Sequence, residues 1–180
     1  VSLLECIVNG YRSSDILNVL KTGFSDLTDD EVEKLENYVY KYRIKGSMWK
    51  KPFLRGAFEY GEEVLTEIED IRGRAVAPLL ELETLVRSKG QTYEEFLKKF
   101  YVFLMERACL IPKIENLIKT QEELELIDLA DETRQIWSSI VDLMDQIVEL
   151  MGRDEFAGEN LIDLLTIGLS QMNVGVLPQS

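Results

Sequence analysis

Trp137-Ser-Ser-Ile140-Val141-Asp142-Leu143-Met144-Asp145-Gln146-Ile147-Val148-Glu149-Leu150-Met151 repeats its apolar residues at three and four positions. Trp137, Ile140, Val141, Met144, Ile147, Val148 and Met151 form one stripe, and Asp142, Asp145 and Glu149 fall between them. That is the period of an amphipathic helix, not of a strand. Working outward, the spacing predicts one long helix from roughly Gln121 to Met151, and a last helix from Leu161 to about Met172. Val174-Gly175-Val176-Leu177-Pro178 reads as extended.

Upstream the same period recurs. Leu3, Leu4, Ile7 and Val8 make a short first helix that ends at the turn pair Asn9-Gly10. A second helix carries Ile16, Leu17, Val19 and Leu20, with Ser13 or Ser14 as its cap and Gly23 as its terminator. Thr28 with Glu31, and Thr92 with Glu95, are capping boxes that open helices running to about Tyr42 and Arg107. Val64, Leu65, Ile68 and Ile71, then Val76, Leu79, Leu80, Leu82 and Leu85, carry another stripe. Pro78 either kinks that helix or lies in the first turn of a new one that begins near Gly73. Ile111-Pro112 opens a further helix, proline being suited to a first turn. No segment alternates with period two, and no repeat or low-complexity linker divides the chain. The expectation is an all-α fold, one helical domain over 1–180 with about seven to nine helices.

Composition bounds the chemistry. The chain has 180 residues, is 46% hydrophobic and carries 33 acidic against 20 basic residues, a net charge of -13. Such a surface repels phosphate backbones on average. There is no histidine, which excludes Ser-His and Cys-His nucleophiles and HExxH metal sites. No GxxxxGK[ST] loop is present to hold nucleotide phosphates. The acidic cluster Asp26, Asp29, Asp30, Glu31 and Glu33 lacks calcium-loop spacing and reads as a charged first helical turn, and Glu122, Glu123 and Glu125 read as a solvated helix face. Cys6 and Cys109 form no metal-ligand spacing and read as free thiols of a cytoplasmic protein. No apolar run approaches the ~20 residues of a membrane span. The chain opens on Val1 without Met, as a fragment of a larger protein would. No catalytic, cofactor-binding or metal-ligating residue is expected in it.

One segment departs from the rest. From about 43 to 60 the helical period lapses, broken by Gly46, Pro52, Gly56 and Gly61. Between Glu36 and Glu59 there is no acidic residue, but there are six basic ones, Lys41, Arg43, Lys45, Lys50, Lys51 and Arg55. They leave 14 basic against 33 acidic residues elsewhere. Tyr38, Tyr40, Tyr42, Trp49, Phe53 and Phe58 lie among them. Cations can meet phosphates and rings can stack on bases, so Lys41, Arg43, Lys45, Trp49, Lys50, Lys51 and Arg55 are candidate DNA contacts. The alternative is that Trp49 and Phe53 pin the excursion to the core while the lysines are merely solvated.

Several stretches resemble the B subunit of bacterial ATP-dependent helicase/deoxyribonucleases (AddB, or RexB). They are Asn18-Val-Leu-Lys-Thr-Gly23-Phe24, Leu35-Glu-Asn-Tyr-Val39, Ile44-Lys-Gly46 with Trp49, and Val76-Ala-Pro-Leu-Leu80. Arg134-Gln-Ile-Trp137, Leu143-Met-Asp-Gln-Ile-Val-Glu-Leu150 and Val174-Gly-Val-Leu-Pro178 continue the series. The resemblance implies a helical accessory domain inserted in a helicase-like subunit (2B-type), non-catalytic itself. It implies work with an A subunit on double-stranded DNA ends in recombinational repair, in the cytoplasm. ATP, magnesium and an iron–sulfur cluster are implied only for the parent subunit or complex. Members of the family tend to carry glycine before the Ile-basic-Gly motif, where this chain has Arg43.

Overall fold

Eight α-helices and one 3-10 helix, with no strand, make up the computed structural model, which describes residues 1–23, 25–108 and 110–172. The all-α reading holds. The chain divides into two compact units, Ser2–Val86 and Arg87–Ser180, the latter grouped with Val1.

The first unit opens with α1 (Ser2–Val8) and α2 (Ser13–Leu20), which bury Leu4, Cys6 and Ile7 and Ile16, Leu17 and Leu20. The cap expected from Ser13 or Ser14 is not made. Arg12 occupies the N-cap position without a side-chain bond. Ser13 Oγ donates instead to the Ile44 carbonyl, and Ser14 Oγ to Asp15. Helix α3 (Asp29–Tyr42) begins on the expected capping box, with Glu31 N–H donating to Thr28 Oγ1 and Thr28 N–H to the Glu31 carboxylate. Its face of Val32, Leu35, Tyr38 and Val39 is buried.

Helix α4 (Ala57–Val86) starts earlier than the apolar stripe implied, with one turn before a non-helical Gly61 at φ 79°. Beyond Gly61 it runs unbroken through Pro78, so the Gly73 region starts no new helix. Ile68, Ile71, Ala75, Val76, Leu79 and Leu82 give it a buried stripe that packs on α1 and α3. Cys6 is fully buried there, and burial pushes its thiol up to about 12, so it stays protonated and unreactive.

In the second unit, α5 (Tyr93–Glu106) starts on the Thr92–Glu95 capping box. The turn after α7 is clasped to that start. Tyr93 N–H donates to the Asp154 carbonyl at 3.1 Å, Phe156 N–H to the Gln91 carbonyl at 2.9 Å, and the Phe156 ring stacks on Phe96 at 3.8 Å. The long helix expected from Gln121 is two. Helix α6 (Leu110–Glu123) ends and α7 (Ile127–Met151) begins after a turn in which Glu125 takes φ 60°. Gln121 faces back across that turn, its side-chain carbonyl accepting from Thr133 Oγ1 at 3.0 Å. Of the α7 stripe, Met144 and Ile147 are buried, while Trp137, Ile140, Val141, Val148 and Met151 are half-buried. Helix α8 (Gly158–Met172) seals Leu161 and Leu165 inside. The Val174–Pro178 extension, and the thiol of Cys109, lie outside the described residues. No described helix is long and apolar enough to cross a membrane.

Candidate nucleic-acid interface

The basic excursion begins where α3 stops. Arg43 takes a left-handed conformation (φ 51°, ψ 47°). Its N–H donates to the Tyr40 carbonyl at 3.3 Å, and Ile44 N–H reaches back to Val39 at 3.0 Å. This is a Schellman closure, with Ile44 and Val39 both buried beside it. Gly46 follows at φ 56°, its N–H donating to the Tyr11 carbonyl at 3.0 Å.

The 3-10 helix Gly46–Lys50 then turns Trp49 fully into the interior. Trp49 Nε1 donates to Ser13 Oγ at 3.0 Å, and Ser13 Oγ donates in turn to the Ile44 carbonyl. Phe53, four residues further on, is buried and stacks on Tyr38 at 4.8 Å with 11° between the rings. An Arg72–Glu69 pair on α4 ties down the main chain between these anchors. Arg72 Nη1 donates to the Trp49 carbonyl at 2.9 Å, while Glu69 Oε2 accepts from Phe53 N–H at 2.7 Å and from Arg72 Nε at 2.7 Å. Burial raises the Glu69 carboxyl, but Arg72 and the Phe53 N–H outweigh it and hold it below its ordinary range. The Tyr38 hydroxyl lies 3.0 Å from both the N–H and the carbonyl of Arg55. Gly56, at φ 89°, sits so close to the Tyr42 ring that a Cβ would strike its hydroxyl. Trp49 is therefore a pin, closed to any base, and the loop is fixed by the fold along most of its length.

The cations divide sharply. Lys41 pairs with Glu59 and lies over the Tyr60 ring at 4.8 Å, and that pairing lowers the Glu59 carboxyl. Lys50 pairs with Glu83 at 2.5 Å and covers the Tyr11 ring at 4.3 Å. Arg55 Nη1 donates to the Tyr42 carbonyl at 3.1 Å. Arg43, Lys45 and Lys51 are exposed and form no ion pair. In the rest of the unit, Lys21, Lys34, Arg72 and Arg74 are bound to carboxylates. The one further unpaired cation among the described residues of this unit is Arg12, exposed at the start of α2. Its flanking residues Tyr11 and Ser13 bond to Gly46 and Ile44 respectively, which sets its backbone beside Lys45. Sequence reading missed Arg12 because it stands alone, far in the chain from the basic run it joins.

No protein-family model matches the chain. Curated relatives match it from end to end. The B subunit of the ATP-dependent helicase/deoxyribonuclease of Alkaliphilus metalliredigens is 31% identical over 100% of this chain, and that of Clostridium kluyveri 33% over 99%. The protein of the same name from Acetivibrio thermocellus is 29% identical over 100% of the chain. The chain spans only 16–17% of the length of these relatives. The resemblance to AddB-type subunits is thus shown along the whole chain, and it concerns one segment of a much longer protein.

Proposed function

We propose that this chain is a non-catalytic helical accessory domain of a bacterial ATP-dependent helicase–nuclease that prepares double-strand DNA breaks for recombinational repair. In this reading its excursion forms part of the DNA path, and the domain corresponds to the 2B-type insertion of helicase-like subunits. The parent works with an A subunit in the cytoplasm and carries the ATP, magnesium and iron–sulfur chemistry outside these residues. The relatives' name places them in a multi-subunit helicase/deoxyribonuclease.

The observation that carries the DNA contact is the sorting of charge. In a chain with 33 carboxylates, the described cations of the first unit that stay exposed and without an ion pair are Arg12, Arg43, Lys45 and Lys51, with Arg55 held by a carbonyl. An acidic surface neutralises lysines readily wherever a carboxylate is near. A group of cations left free is available to replace the counterions of a phosphate backbone.

The test is titration of the chain, and then of the intact complex, into a labelled forked duplex over a salt series. The expected result is binding that weakens steeply with salt and is lost when Arg43, Lys45 and Lys51 are changed together to Glu. Equal binding by the parent and the triple variant in the intact complex overturns the DNA contact.

A second reading, a protein-interaction scaffold without DNA contact, draws on the turn between α6 and α7. Leu124, Leu126, Ile127 and Leu129 are all exposed there, among Glu122, Glu123, Glu125 and Asp128. Acid-rimmed aliphatic surface suits a polypeptide partner and repels DNA. It predicts no DNA binding, and loss of association with the A subunit when Leu126 and Ile127 are changed to Asp.

A further inference from the structure

We infer that Arg12, Arg43 and Lys45 form a single ledge that grips the phosphodiester backbone of duplex DNA without reading its bases, an inference that rests on the DNA-path reading above. Three observations build it.

The ledge is assembled from two chain segments locked to each other. Gly46 N–H donates to Tyr11 at 3.0 Å, and Ser13 donates to Ile44, so Arg12 lies between two residues bonded to the two neighbours of Lys45. Backbone strain is concentrated at that junction. Among the described residues three non-glycines have positive φ, and two of them, Tyr11 at 63° and Arg43 at 51°, are here, beside Gly10 at 73° and Gly46 at 56°. Strain of this kind persists only where surrounding contacts over-determine the geometry, and it is concentrated at binding and catalytic sites.

The three side chains are exposed and none is paired. The nearest acid in sequence, Asp15, is engaged by Asn9 Nδ2 at 3.0 Å and by Ser14 Oγ at 3.0 Å, not by Arg12. Charge is therefore held ready on a rigid frame, which is what positioning against a phosphate backbone requires.

The rings at the junction are withdrawn. Tyr11 and Trp49 are buried, and Lys50 covers the Tyr11 face. A site for single strands stacks successive bases on several aromatic faces, whereas the turn that leads to Arg43 exposes a single ring, Tyr40. What remains is cationic contact with the backbone, independent of sequence.

The experiment uses the intact helicase–nuclease and a short blunt duplex, with fluorescence anisotropy followed across a potassium chloride series. Arg12→Gln and Lys45→Gln should each reduce the slope of log affinity against log salt by about 0.9, and the double variant by about twice that. Lys34→Gln, whose cation is paired with Glu67, should leave it unchanged. The loss should be the same for AT-rich and GC-rich duplexes. If Lys45→Gln lowers the slope and Arg12→Gln does not, the ledge is wrong while the DNA path stands. If neither does, the ledge falls, and the DNA path stands or falls separately with the triple variant of Arg43, Lys45 and Lys51. A loss confined to one base composition overturns backbone-only contact, and equal competition by polyglutamate reassigns the ledge to an acidic polypeptide.

Discussion

Ile44 N–H donates to the Val39 carbonyl across the end of α3 at 3.0 Å, and the residue between that bond and the helix, Arg43, is forced into left-handed space. The closure is one that glycine ordinarily completes, because a Cβ there crowds the backbone at a cost of roughly 1 kcal/mol. Arg43→Gly should therefore stabilise the chain by about 1 kcal/mol in urea unfolding, without moving the far-UV spectrum. The same variant should weaken DNA binding. A protein that is both more stable and a weaker binder would show that the arginine is kept for its charge, against the preference of the turn. An Arg43→Gly protein no more stable than the parent would mean that the left-handed turn carries no strain.

The Arg72–Glu69 pair holds the loop more tightly than a surface ion pair could, because each partner also bonds to main chain. Arg72 takes the Trp49 carbonyl and Glu69 the Phe53 N–H. Glu69→Ala leaves the half-buried Arg72 guanidinium without its carboxylate and the Phe53 N–H without its acceptor, so a loss of about 1–3 kcal/mol is expected. Amide exchange should accelerate through Trp49–Phe53 while α1 stays protected. Uniform acceleration across the unit would mean that the pair supports the whole unit and not the loop.

Glu31 couples the α3 cap to α4. Arg74 bonds its carboxylate and Thr28 N–H donates to it, and together they lower it from 4.5 to about 2. A group depressed in the folded state adds stability at pH values above its unfolded value and loses it as pH falls. This contribution should therefore be complete above about pH 4.5 and fade between there and pH 2. Glu31→Gln should unfold with a flatter pH dependence across that window and match the parent's slope at neutral pH. An unchanged acid limb would place the acid sensitivity on other carboxylates.

How far the sequence could be read depended on the range of the interaction. Thr28 with Glu31 and Thr92 with Glu95 were legible because a capping box is settled within four residues. The buried stripe of α4 was legible from its spacing, as was the role of Trp49 as a pin, one of the two readings open for it. The turn between α6 and α7 was not, since Leu124-Glu125-Leu126 contains no glycine or proline and Glu125 itself adopts the positive φ. Nor could sequence show which cations are free. Lys41 and Lys50 are neutralised by Glu59 and Glu83, which only the packing of α3 and the 3-10 helix near α4 brings within reach. Arg12 joins the basic excursion through hydrogen bonds between segments more than thirty positions apart.

Ser13 shows the same limit and gives the sharpest stability test. Its place before Ile16 and Leu17 marks it as a helix cap, yet its hydroxyl accepts from buried Trp49 Nε1 and donates to the carbonyl of buried Ile44. One hydroxyl thus satisfies a donor and an acceptor that water cannot reach easily. Ser13→Ala removes both bonds together, and a buried polar group without a partner costs about 1–3 kcal/mol. The expected loss is about 2 kcal/mol, well above the few tenths that an exposed serine would cost. Tryptophan fluorescence should change in the folded state, because the indole N–H loses its acceptor. Ser13→Thr keeps the hydroxyl and should recover most of the stability. If Ser13→Ala costs only a few tenths, Trp49 and Ile44 have found other partners, and the relay does not fasten the excursion to α2.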